Sequence, residues 1–451
     1  MLISRKHLVL MIAASALLAF TACEDDDNNN NTTNEIPQMY QDLPGTLISQ
    51  NTTWSGNVDA AGKYYVLPGV TLTIAAGTTV SFAYHEDNPD DVGAIITLRG
   101  DSDNFSSERA SGRLVANGTA AQPIVFTSAR ATKSPGDWGG IVLIGEAPNN
   151  IPGGTGDVEG LAETVHYGGS KSADDSGVLK YVRIEYCGYG IAADSELNGL
   201  SLYSVGSATT LDHIQVYKCT DDGYEWFGGT VNARYLLSTF NDDDSFDMDE
   251  GWRGKGQFWL AVQHAGSDNG FESDGRKTLG SGLASHPTLS NVTLYGFGAG
   301  KDAEDKNYGM RLREDFEGEL SNFVISNFAG LNWKLESNDG DVTSANFDSG
   351  ILSINRACVY SNNLDGSGDF GGFASQADST RFCAGAHNVH VLDNAVFPSA
   401  ASHDYRPAAG SSAASGGQVP SDSWFDAAGY MGAVAPSGSN WTTESWVRWA
   451  D

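Results

Sequence analysis

One strand pattern in this chain repeats, and the repetition restricts the fold more than any other feature. Leu179-Lys-Tyr-Val182-Arg-Ile184-Glu-Tyr-Cys187 returns as Leu211-Asp-His-Ile214-Gln-Val216-Tyr-Lys-Cys219. The same register continues through Tyr235, Leu237 and Phe240, through Leu260 and Val262, through Leu289, Val292, Leu294 and Phe297, and through Leu320, Phe323, Ile325 and Phe328. Apolar residues two apart mark a strand with one buried face. A recurrence of 21 to 32 residues marks one coil of a solenoid with variable turns. Earlier coils read from Val70-Thr-Leu72-Thr-Ile74, Leu114-Val-Ala, Ile124-Val-Phe126 and Gly139-Gly140-Ile141-Val-Leu143, with Tyr84 to Arg113 read as an inserted loop. The expectation is an all-β fold, a single-stranded right-handed parallel β-helix.

Size supports this reading. Residues 45–451 exceed the roughly 250 to 300 residues at which one compact core stops growing, yet no linker divides them. A solenoid escapes the limit because its core is a column. Near the end, Tyr405 and Tyr430 precede Trp441, Trp446 and Trp449, so the expected role of these aromatics is to close the open end of the column.

The first 44 residues read differently. Arg5 and Lys6 precede an apolar run from Leu8 to Phe20, then the small pair Thr21 and Ala22, then Cys23. This order is a secretory signal, too short to be a retained membrane helix. It resembles the lipobox of bacterial lipoproteins, with Phe20 where Leu is usual, and implies lipidation at Cys23. Residues 1–22 would then be the signal peptide and 23–44 a polar tether, because the acidic and Asn-rich run after Cys23 cannot bury a core. An acidic run beside the lipidated Cys is similar to the surface-export signal of Bacteroidetes-type lipoproteins. The implied location is the outer membrane, facing outward and held through the lipid.

Export permits disulfides. Cys187 and Cys219 share a slot in consecutive copies, and parallel strands about 4.8 Å apart fall within the Cα range of a bridge. Cys358 and Cys383 remain as a second candidate pair.

Gly136-Asp137-Trp138-Gly139-Gly140-Ile141-Val142, Tyr181-Val182-Arg183-Ile184-Glu185, Tyr224-Glu225-Trp226-Phe227-Gly228-Gly229-Thr230-Val231, Asp243-Asp244-Ser245-Phe246-Asp247 and Asn269-Gly270-Phe271-Glu272 are distinctive. Together they resemble a family of secreted and lipid-anchored β-helix proteins of Gram-negative envelopes. The resemblance spans nearly all of the mature chain and implies fold and location, but no established activity.

An acidic ladder accompanies the strands. Asn198-Gly199, Asp222-Gly223, Asp244-Ser245 and Asn269-Gly270 recur at one coil per step, so Asp222 should stack on Asp244, and Glu225 on Asp247 and Glu272. Stacked carboxylates repel by roughly 3 kcal/mol per pair at about 5 Å and an effective dielectric of 20. Three outcomes relieve the repulsion: a bound cation, a raised pKa, or pairing with Arg311 and Arg313. The oxygen-rich set Asp242, Asp244, Asp247 and Asp249 suits calcium. A raised pKa instead suits the acid of a glycosidase. The order Asp222-Gly223, Asp243-Asp244, Asn269-Gly270, Arg311-Leu312-Arg313 is similar to the motifs of polygalacturonase-type β-helix hydrolases. That resemblance implies catalytic carboxylates at Asp222, Asp243 and Asp244 and a substrate clamp at Arg311. Asn269 stands where that family has His, and Arg313 where it has Lys. The bland alternative is that Asn-Gly and Asp-Gly simply form turns.

The formal charge of −31, or −33 once Arg5 and Lys6 are removed, excludes nucleic acid and anionic membrane surfaces as partners and disfavours a polyuronate. Glu225, Trp226, Glu272, Asn269 and Arg313 are the candidate ligand contacts, with Trp252 and Trp259 beside Trp226 as a sugar-stacking platform. Three functions follow from the sequence: a surface β-helix that binds glycan or a protein partner with calcium, a polysaccharide-degrading enzyme, or a structural envelope protein.

Overall fold

From Gly177–Glu185 onward, each coil of the fourteen-stranded sheet turns by placing a single residue in the left-handed region. Tyr181, His213, Tyr235, Phe258, Asn291, Asn322 and Arg356 have φ between 48° and 61°, one per coil, and each bends a long strand into two legs. Bulky residues adopt this conformation at a cost. Stacking offsets it, since the rings of Tyr181 and His213 lie 4.4 Å apart, His213 and Tyr235 4.2 Å, and Tyr235 and Phe258 4.9 Å. The computed structural model describes residues 36–84, 92–100, 108–192, 195–298, 307–360, 376–383, 387–392 and 395–450. The signal segment, Cys23 and most of the tether lie outside them.

Among the described residues, two long parallel sheets form, of ten and fourteen strands. They stack in the predicted register: Leu179 pairs Leu211, Ile184 pairs Val216, and Leu289 pairs Leu320. The fold is thus the expected all-β parallel β-helix. Inward residues form continuous columns, including Leu200, Tyr224, Phe246, Phe271 and Met310, all buried.

Several local expectations change. The segment read as an inserted loop contains a regular strand, Ala94–Thr97, between Lys63–Val66 and Gly140–Ile144 of the ten-stranded sheet. Phe297 lies just past the strand Thr288–Tyr295 and is 43% exposed. Cys187, Cys219, Cys358 and Cys383 are free thiols. Cys187 and Cys219 do sit in one column with their thiols in hydrogen-bonding contact. In-register parallel side chains, however, leave the backbone about 4.8 Å apart, and a bridge needs Cβ atoms roughly 3.5–4.5 Å apart. Cys358 is buried with its Sγ 3.5 Å from Met431 Sδ, whereas Cys383 is exposed on a helix, so the second pair does not face.

The tryptophans do not plug the column. The last strand of the ten-stranded sheet, Trp333–Leu335, is covered by two helices, with Phe382 4.9 Å from Trp333 and 4.7 Å from Phe347. Residues 395–450 instead run back along the fourteen-stranded sheet. Side-chain amides hold this strap by imitating peptide groups. Gln215 Nε2 donates to Arg448 O at 2.7 Å while Arg448 N donates to Gln215 Oε1 at 2.8 Å. Gln257 makes the same double bond to Asp426, and Asn322 to Gln418. Trp446 and Trp441 lie against the stacked corner, 5.5 Å from His213 and 5.6 Å from Tyr235.

Candidate functional site

The site is the outward face of the ten-stranded sheet. Side chains alternate along each leg, so Glu225 and Phe227 point away from the core while Tyr224 and Trp226 point into it. Register then builds two outward columns. The first runs Tyr65, Ile96, Val142, Ser201, Glu225, Asp247, Glu272, Arg311, Lys334. The second passes from Ile144, Tyr203 and Phe227 to Asp249 and then, one strand on, to Asp274 and Arg313. Both change from apolar to acidic to cationic along the stack. Residues 146–170 fold over the early coils and bring Tyr167 onto Tyr203, 4.8 Å between rings.

A third row lies at the turn and has a structural task. Asp222 Oδ1 accepts from Asp244 N at 2.8 Å, Asp244 Oδ1 from Asn269 N, and Asn269 Oδ1 from Tyr308 N at 3.1 Å. Each side chain caps a backbone N–H of the next coil. The expected stacking is therefore present, and Asp222, Asp244 and Asn269 (7%, 5% and 1% exposed) serve as turn ladders.

Beside this row the carboxylates crowd. Oxygens of Asp222, Glu225 and Asp247 lie within 4.8 Å of one another, and so do those of Asp244, Asp247 and Glu272, of Asp221, Asp222 and Asp243, and of Asp243, Asp244 and Asp268. Asp247 Oδ1 is buried with no hydrogen-bond partner, as are Asn198 Oδ1 and the Tyr203 hydroxyl. Asn198 Nδ2 donates to Glu225 Oε2. Burial, then neighbouring carboxylates, pushes Asp222, Glu225, Asp244 and Asp247 well above the ordinary range. The same causes lift Asp221 and Asp249 to about 7 and Glu159 to about 8.

At the far end the charge is neutralised. Arg311 reaches Glu272 at 2.9 Å and Glu336 at 3.0 Å; Arg313 reaches Glu272 at 2.7 Å and Asp274 at 3.0 Å. Burial still raises Glu272 despite both arginines. Lys277 stands 3.7 Å from Asp249 and 3.6 Å from Glu250.

The sequence-predicted residues therefore separate. Glu225, Asp244, Asp247, Glu272, Arg311 and Arg313 converge. Of the expected calcium set, Asp242 turns out to His264, 2.8 Å away, and Asp249 faces Lys277, so only Asp244 and Asp247 share a cluster. Trp226, Trp252 and Trp259 are fully buried and stacked on one another, with Trp226 5.0 Å from Trp259, so they form no sugar platform. Of the polygalacturonase-like trio, Asp222 and Asp244 are committed to backbone N–H groups, and Asp243 is exposed. Arg311 is held by two carboxylates, Glu272 and Glu336. Sequence reading missed Asp274, which alternation from Glu272 would have placed. It also missed Glu159, Lys277 and Glu336, for which no local pattern exists.

A family model for a pectate-lyase like beta helix domain matches residues 45–379. No curated protein and no solved structure matches the chain.

Proposed function

Because the chain belongs to the pectate-lyase-like beta-helix domain family, we propose that its acidic face binds an extracellular glycan through a divalent cation, calcium first among them. One observation carries the reading: Asp247 Oδ1 is buried and unpartnered between Glu225, Glu272 and the Asp222 carboxylate. Calcium takes six to eight oxygens at about 2.3–2.6 Å, so ligands around one ion lie up to roughly 5 Å apart. Asp222, Glu225 and Asp247 meet that spacing, and Asn198 Oδ1 adds a neutral oxygen. Positions left open on such an ion suit the hydroxyls of a sugar. We also propose that Cys23 carries a lipid that holds the face at the outer surface of the outer membrane. Cys23→Ser should end fatty-acid labelling, and undiminished labelling would refute the anchor.

Calcium binding only to the folded state adds stability by mass action, about 2.7 kcal/mol at a free concentration 100 times Kd. Calorimetry should therefore show a higher Tm with calcium than with chelator, and Asp247→Asn should abolish the difference. A Tm indifferent to calcium in the unaltered protein would refute the cation site. A second reading, polysaccharide cleavage, is favoured by carboxyls such as Asp249, near 7, since a general acid must hold a proton at neutral pH. New reducing ends released from a polysaccharide, independent of calcium, would favour it.

A further inference from the structure

The geometry points to a second saccharide-binding groove, for a short neutral oligosaccharide, between the fourteen-stranded sheet and the C-terminal strap. The groove holds about 600 Å³, within the range of small-molecule sites. Its floor is made of outward residues in register across three coils. One row is Thr288, Glu319 and Ser353; the next is Ser290, Ser321 and Asn355. Strap residues Gln418, Pro420, Ser421 and Phe425 form the wall.

Three features favour a sugar over other ligands. Hydroxyls and amides make up most of the polar lining, and among the described residues the side chains of Thr288, Glu319 and Gln418 have no partner. The rows repeat about every 4.8 Å, close to the length of one pyranose ring, so successive sugars meet a polar side chain at each coil. Ile351, 47% exposed, and Pro420 offer apolar surface to sugar C–H groups. The wall is also preorganised, because Gln418 is doubly bonded to Asn322, and Lys255 pairs with Asp422. Charge restricts the sugar further. Glu319, which has no cationic partner, repels uronates and sulfated chains, and His286, 3.1 Å from Glu317, is already engaged.

This groove lies on a different sheet from the acidic face and does not depend on calcium there. Titration calorimetry of the whole mature protein with cellohexaose, xylohexaose and mannohexaose should find binding of at least one, with Kd at or below about 1 mM. Asn355→Ala and Gln418→Ala remove a half-buried and an exposed side chain from the groove while leaving the strap backbone paired, and each should weaken that binding about tenfold. Chelator and Asp247→Asn should leave it unchanged. Absence of binding to all three sugars, or binding untouched by both groove variants, would overturn the proposal. Loss of binding with Asp247→Asn alone would move the neutral-sugar site to the acidic face and overturn it too.

Discussion

Two halves of one face of one sheet are built on the same backbone and carry opposite chemistry. Over the early coils the outward columns hold Tyr65, Ile96, Val142, Ile144, Tyr203 and Phe227, buried beneath the excursion at residues 146–170. From the strand that carries Phe227 onward, the same columns hold Glu225, Asp247 and Glu272, and Asp249 follows Phe227 directly. The backbone is indifferent to the choice, because a parallel ladder repeats whatever side chain it is given. Apolar side chains turn the covered positions into core, whereas carboxylates at the same outward positions, themselves largely buried, crowd until a cation or an arginine balances them. Site and core are thus distinguished by the side chains the columns carry rather than by the strand.

The sharpest way to break this comparison is to extend the acidic column under the cover. Val142 is fully buried and one strand from Ser201. Val142→Glu buries a charge with no partner and should destabilise by about 3–5 kcal/mol, measured by chemical denaturation. A loss below about 1 kcal/mol would mean that the excursion does not seal the column.

A smaller effect should appear in the acidic half. Asp221 and Asp249 at about 7 and Glu159 at about 8 lie above their unfolded values of roughly 4. The folded state then binds more protons than the unfolded chain, so this contribution is complete below about pH 4 and is lost as pH rises through 7 to 8. With chelator present, Tm should fall by a few degrees, on the order expected for about 2–3 kcal/mol in a body of roughly 400 residues, between pH 5 and 8. Calcium should flatten the fall. A Tm that rises steadily over that range would show that the acidic half is already balanced.

Much of this was legible in the sequence, for a physical reason. Apolar alternation and its recurrence report one buried face per leg, which set the pairing of Leu179 with Leu211 and of Glu225 with Asp247. The corners were not legible. Tyr181, His213 and Phe258 take left-handed φ without being glycine, because ring stacking along the column stabilises what their local preference opposes. Trp226 looked like a platform beside acids, yet alternation already placed it one residue out of phase with Glu225 and hence in the core. The strap and the Glu159 excursion are contacts between distant segments, and no periodicity announces them.

A solenoid ordinarily couples each coil only to its neighbours, so that its ends fray independently of its middle. The strap changes that connectivity. Gln215, Gln257, Asn291 and Asn322 belong to different coils, and all four are fastened to the last 34 residues, from Gln418 to the terminus. Opening any one of these coils therefore disturbs a brace shared with the others, and a column of local contacts behaves as one cooperative body. The order of assembly follows as well. The brace emerges after the coils it spans, so those coils stay individually weak until it lies down across them.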